Sequence, residues 1–260
     1  QSGGIKQGIE KIMHTNRIIS MTGALNFRDV GGLRTSSNSY LKKGVLFRSD
    51  ALSRLTEDDL TKFSDLSINT VIDLRHPEEE EKARNRTPAG ASPRSVNCGF
   101  YAKGTMKLFT AVNSGKTNAE QSRELMKEVY AHMPIKHVKE IRQAIHNLLL
   151  PQGTPCLIHC MSGKDRTGLV IALILKAVDV QFDDIINDYE MSNGEYQAVD
   201  VFDGSAQKES VAAVMAADPS YLRASFAAID NVYGSFDSYL SEGLMLGGDR
   251  LIKLRKLLID

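Results

Sequence analysis

The segment PCLIHCMSGKDRTGLVIALILKAV, residues 155–178, restricts the fold more than any other part of the chain. Its first five residues read as an apolar strand that delivers Cys160 to a short polar loop. From Gly168 onward the chain is apolar on nearly every side, broken only by Lys176. A helix of that composition has to be covered all round, and the run falls short of the ~18 residues of a membrane span. It is therefore a buried helix in a globular domain. Elsewhere strands alternate with helices: residues 45–50 and 71–74 read as strands, and Thr56 and Pro77 mark helix starts. Glu78, Glu79, Glu80 and Glu81 match the positive end of the second helix and read as a solvated face. The fold class expected is α/β: a central, mostly parallel sheet flanked by helices, with a helix-rich C-terminal third.

The 260 residues suit a single domain, 1–260. Formal net charge is zero, so no nucleic-acid partner is expected. Three cysteines, Cys98, Cys156 and Cys160, form no spaced framework, which argues against a disulfide scaffold. Cys156, His159 and Cys160 lack the second ligand pair of a structural zinc site, so no metal is expected. Residues 1–4 read as a scar of cloning or processing, which leaves open a cytoplasmic location and secretion into a host cell. Helical spacing appears over residues 5–20, and residues 26–33 are turn-rich around Gly31 and Gly32. Residues 120–150 read as helix, separated in two at Pro134. Residues 182–191, 207–217, 221–233, 235–240 and 250–258 read as further helices. Residues 85–120 are loop-rich, and 99–118 are expected to be a mobile lid or insertion. The SGKT within that stretch has Thr110 where a nucleotide-binding loop needs its first glycine, and it is discarded.

The chemistry concentrates between the strand and the buried helix. In open α/β sheets, ligand sites lie beyond the carboxyl ends of strands. The first amides of a helix have no internal partners and form, with loop amides, an anion cradle. The same positive end favours a thiolate at Cys160, a ready nucleophile. Arg166 offers a planar two-pronged grip on phosphate oxygens, and Lys164 adds a point charge at the rim. Gly163 and Gly168 permit the tight bends, and Thr167 can donate its hydroxyl to the sulfur. Cysteine, five residues and arginine supply what phosphomonoester cleavage through a phosphocysteine needs. The competing reading is a buried strand–turn–helix with an inert cysteine.

HCMSGKDRTG resembles the signature loop H-C-x5-R-[S/T]-G of cysteine-dependent tyrosine and dual-specificity phosphatases. In its G-K-D-R-T-G form it is similar to that of the atypical bacterial and fungal tyrosine and phosphoinositide phosphatases. NFRDVGGL, LFRSDALSRLT, VIDLRHPEE and AIDNVYGSFDSYL extend the resemblance over nearly the whole chain. It implies a cysteine-phosphatase fold, Cys160 as nucleophile, and Arg166 with the backbone of Met161, Ser162, Gly163 and Lys164 as phosphate binders. It implies no metal and no cofactor. The implied partners are a phosphorylated protein or a phosphoinositide, with the membrane met only transiently through a lipid substrate. Lys164 resembles the loop lysine of phosphoinositide 3-phosphatases and points towards inositol lipids, or it only adds phosphate affinity.

The leaving oxygen needs a proton, which the family often draws from an Asp on an earlier loop. Residues 95–115 contain no Asp or Glu, so Asp165 within the signature loop is the first choice, as the resemblance also suggests. The alternative for Asp165 is a loop-shaping side chain that accepts backbone amides. Asp73 and Asp29 are reserves, Asp73 as an ion-pair partner of Arg75 and Asp29 as a brace with Arg28. His159 orients the loop or is a core histidine; Cys156 is a packed core residue or a redox partner of Cys160. A catalytically weak, phospho-ligand-binding pseudophosphatase is the alternative function.

Overall fold

The computed structural model describes residues 17–90, 92–194, 202 and 204–260. Residues 1–4 and most of the helix expected over 5–20 lie outside them. Five strands, β1 (Arg28–Asp29), β2 (Leu46–Ser49), β3 (Thr70–Asp73), β4 (Arg94–Asn97) and β5 (Cys156–His159), make one sheet in the order β1-β2-β5-β3-β4. Only β1 runs antiparallel. Every residue of β2, β3 and β5 is buried, as parallel strands covered on both faces require. Alternate side chains feed two cores. Phe47, Val71 and Leu157 join Phe27 and Phe63 on one face; Leu46, Ile72 and Ile158 join the larger cluster on the other. The edge strand β4 (RSVN) is mostly exposed and polar, and no apolar alternation marks it in the sequence.

The helices are α1 (Glu57–Asp65), α2 (Pro77–Lys82), α3 (Thr105–Asn113), α4 (Ala119–Lys136), α5 (Val138–Leu148), α6 (Asp165–Ala177), α7 (Phe182–Glu190), α8 (Lys208–Met215), α9 (Pro219–Tyr233) and α10 (Asp249–Leu258). A short turn, Phe236–Ser238, leads into a wider π turn at Tyr239–Gly243 where one helix was expected. As expected, α6 is the buried helix: Leu169 to Leu175 are all buried. Thr56 caps α1 and Pro77 opens α2.

Pro134 does not separate α4 from α5; it sits inside the last turn of α4, and the break falls at His137. A proline this far along a helix leaves the carbonyl four residues back without its donor. Ser225 of α9 repairs the loss, its Oγ donating to the Tyr130 carbonyl at 2.7 Å. The segment 99–118 contains a helix, α3, that buries Leu108 and Val112 against the larger core. Among the described residues no helix is long and apolar enough to cross a membrane.

Candidate active site

Ser49, Asp73 and His159 end their strands in register, so the loop after His159 starts from the carboxyl edge of the sheet. Cys160 is 1% exposed at its base. The next carbonyls are each held from outside the loop. Met161 O accepts from the Ala51 amide at 3.1 Å, Ser162 O from Asn26 Nδ2 at 3.1 Å, and Gly163 O from Arg48 Nη2 at 2.7 Å. A trans peptide points its N–H opposite to its C=O, so the amides of Ser162, Gly163 and Lys164 turn to the inner side. There they join the first amides of α6, whose N-cap is Lys164. Gly163 is required twice over: its φ is +67°, and a Cβ would lie 2.4 Å from the Ser49 carbonyl oxygen.

Arg166, on the first turn of α6, is gripped at both ends of its fork. Nη1 donates to Glu79 Oε2 at 2.5 Å and Nη2 to Oε1 at 2.9 Å; Nη1 also reaches the carbonyls of Leu74 (3.2 Å) and Phe100 (3.1 Å). Burial opposes the Arg166 charge, but the Glu79 hydrogen bonds and the nearby Cys160 outweigh it and raise its pKa further. Burial likewise opposes the Glu79 charge, and Arg166 outweighs it, holding the carboxyl below its usual range. Glu79 is thus more than the solvated helix start its sequence suggests. It also accepts from the His76 amide at 2.8 Å, so one carboxylate caps α2 and fixes Arg166.

Lys164 is not at an open rim. Its side chain is buried, with Nζ donating to the carbonyls of Val214 (2.7 Å) and Ala216 (3.1 Å) at the end of α8 and 3.3 Å from Asp165 Oδ1. Burial lowers its pKa, against the pull of Asp165. Among the described residues Asp165 accepts from side chains rather than from backbone amides. Its Oδ1 takes a 2.8 Å hydrogen bond from Tyr130 Oη, which contacts Tyr189 Oη at 2.6 Å. Thr167 Oγ1 is buried and has no hydrogen-bond partner among the described residues, so the expected bond to the Cys160 sulfur is not formed. Met161, Ser162, Lys164, Asp165 and Arg166 line a cleft of about 260 Å³ whose other walls include Tyr101, Leu108, Phe109, Met126, Val129 and Val214. Three of these come from the segment 99–118.

The residues behind the loop are structural in placement. His159 is buried; Nδ1 lies 3.2 Å from Cys160 O, and Nε2 lies 3.2 Å from Asn85 Nδ2. Burial lowers its pKa despite the neighbouring Asp73, whose Oδ2 lies 3.4 Å from Nε2. Asp73 and Arg75 form the expected pair, at 2.7 Å and fully buried. Asp29 stands apart, accepting the amides of Gly31 and Gly44 at 2.7 Å each. Arg28 turns instead to Asp188 and Asn26. Cys156 is a packed core residue whose thiol burial pushes well up. Four residues of strand separate it from Cys160 by about 13 Å, beyond the ~7 Å reach of a disulfide. The redox-partner reading therefore fails in this fold. Glu79, Tyr130, Asn26 and Arg48 were not singled out as site residues, since each arrives from a distant part of the chain.

A parallel sheet that hands a buried cysteine to a loop of inward amides, closed by an arginine on the following helix, defines a cysteine-dependent phosphatase. The family model described as the tyrosine phosphatase family matches residues 19–260, and the chain belongs to that family. It is 30% identical over 260 residues to the triple specificity protein phosphatase PtpB of Mycobacterium tuberculosis, covering 85% of this chain and 92% of the relative. It is 31% identical over 228 residues to the putative tyrosine-protein phosphatase H16_A0669 of Cupriavidus necator, covering 84% and 81%. Among solved structures, TpbA of P. aeruginosa aligns over 73% of this chain and 90% of its own, with 17% identity and a TM-score of 0.31.

Proposed function

We propose that the protein hydrolyses phosphate monoesters through a phosphocysteine on Cys160. The phosphoryl group sits on the inner amides of residues 161–166, with Arg166 gripping its oxygens. Cys160 Sγ attacks phosphorus in line, the P–O bond to the leaving group breaks, and Asp165 gives its proton to the departing oxygen. Water then attacks the S–P bond, Asp165 takes a proton from it, and the thiolate leaves. Tyr130 donates to one oxygen of Asp165, with Lys164 Nζ 3.3 Å from the same atom. Glu79 keeps Arg166 in one pose, so little ordering is left to binding.

The substrates are phosphotyrosine, with phosphoserine and phosphothreonine, or phosphoinositides, or both; the triple-specificity name of the M. tuberculosis relative supports such breadth. The enzyme works in the cytoplasm or, after export, in a host cell, touching membrane only through a lipid substrate. Residues 99–118 act as a lid, which the packing of α3 beside the cleft supports. The observation that carries this reading is the set of three successive loop carbonyls held from outside above a buried Cys160. Initial rates on phosphotyrosyl and phosphoseryl peptides beside singly and multiply phosphorylated inositol lipids test it. Cys160→Ser should abolish hydrolysis on every substrate the unaltered protein turns over. Absence of turnover on all of them would favour the pseudophosphatase alternative.

A further inference from the structure

Beside the phosphate-binding groups of the cleft stands an aromatic pair that the phosphoryl chemistry does not use. The ring of Tyr101 stacks on that of His76, with centroids 4.2 Å apart and planes 21° from parallel. Tyr101 lines the cleft together with Glu79 and Arg166, and it is still 48% exposed although His76 covers one face. An aromatic wall in a concave site is what holds an apolar ligand in one orientation.

The pair is built into the frame of the site. Gly99 lets residues 98–101 lie directly on the turn after β3, where a Cβ would come 1.7 Å from the Arg75 carbonyl oxygen. Asn97 fastens the same contact, its Nδ2 donating to Arg75 O at 3.1 Å and to Glu80 Oε2 at 2.7 Å. His76 is the N-cap of α2: its Nδ1 accepts the Glu78 amide at 3.4 Å, and its own amide donates to Glu79. Glu79 is also the clamp of Arg166, and the Phe100 carbonyl, one residue before Tyr101, accepts from Arg166 Nη1 at 3.1 Å. The ring therefore stands at a fixed offset from the guanidinium that meets the phosphate.

The rest of the cleft sets what that ring can meet. Its other walls are largely apolar, Leu108, Phe109, Met126 and Val129 among them. Among the described residues its cations are Arg166, which grips the phosphoryl group, and Lys164, whose Nζ donates to the Val214 and Ala216 carbonyls. A flat apolar leaving group matches such walls, whereas a second phosphate would be desolvated against them.

We infer that Tyr101, held by His76, is a specificity-determining residue: its ring supports a flat, apolar leaving group while the phosphoryl group sits in the loop, favouring aryl phosphate esters. The inference rests on reading the loop as a phosphate site. Competitive inhibition of p-nitrophenyl phosphate hydrolysis by phenylphosphonate and by methylphosphonate tests it. The unaltered protein should prefer the phenyl compound, and Tyr101→Ala should cut that preference about tenfold, the upper end for one aromatic contact. Tyr101→Phe should keep it. His76→Asn, which retains a capping side chain but removes the stacked ring, should cut it about threefold. No preference in the unaltered protein, or an unchanged one in Tyr101→Ala or His76→Asn, would overturn the inference. So would a loss in Tyr101→Phe equal to that in Tyr101→Ala, which would assign the effect to the hydroxyl, 3.5 Å from Glu78 Oε2. Should the protein hydrolyse nothing, calorimetry with the two phosphonates reads the same preference. Failure to bind either phosphonate, or tungstate, would instead sink the phosphate-site reading, and this inference with it.

Discussion

Asp165 and Tyr130 lie thirty-five positions apart and meet through a 2.8 Å hydrogen bond. That bond holds one oxygen of the proposed acid in place. Tyr130→Phe should lower kcat about tenfold on an alkyl phosphate, whose leaving group needs the proton, and leave an activated aryl phosphate nearly unchanged. KM should hold on both. Asp165→Asn should show the same pattern more strongly, by about a hundredfold on the alkyl ester. Equal losses on the two esters would remove the acid role. Cys160, Arg166 and Asp165 stand out in the sequence as candidates because a contiguous loop carries them. Tyr130 and Glu79 do not: Tyr130 reads as a helical core position, and Glu79 as one of four acids suited to a helix start. Only the folding of the β3–α2 turn against the β5–α6 loop reveals which acid grips Arg166.

At the scale of elements, the caps were the readable part. Thr56 and Asp59 form a reciprocal capping box on α1, as the TEDD run signals. The sequence did not show that Asp59 also accepts the amides of Thr22 and Gly23 at 2.8 Å each, pinning the segment before β1 to α1. Burial opposes the Asp59 charge, but the amides of Thr56, Thr22 and Gly23 outweigh it and pull the carboxyl down to about 2. A folded-state value below the ordinary 3.8 means stability that is present above about pH 4 and lost as pH falls through 2. Asp59→Ala should cost about 2–3 kcal/mol at neutral pH by denaturant unfolding and flatten the acid limb of the stability profile. The edge strand β4 and the uninterrupted α4 escaped the sequence for opposite reasons. An exposed polar strand has no apolar alternation to read. A proline inside a helix looks like a break until a partner for the stranded carbonyl appears, and Ser225 lies ninety-five residues away from it.

Across the whole molecule, the alternation of strands and helices was enough to predict a mostly parallel α/β sheet, because buried strands and a buried helix leave few other layerings. The cleft was less legible, since its walls come from the 99–118 segment, α4, the β5–α6 loop and α8. The 99–118 segment is also anchored: Leu108 and Val112 are core residues, so excising it would open the interior. A gentler probe is Phe109, which lines the cleft and meets Phe202 edge-on at 5.6 Å. Phe109→Ala should raise kcat/KM for a bulky aryl phosphate about threefold relative to phenyl phosphate, by widening the cleft at that wall. Identical changes for the two esters would remove selectivity from this part of the proposed lid.

The loop's carbonyls are gripped from outside by Ala51, Asn26 and Arg48, through groups that no ligand needs to supply. Inorganic phosphate, the product, therefore meets the same preset amides as the substrate's phosphoryl group. Nothing in that rigid frame tells the two apart. Competitive inhibition by phosphate follows, and the departure of product becomes a natural candidate for the slow step of each cycle.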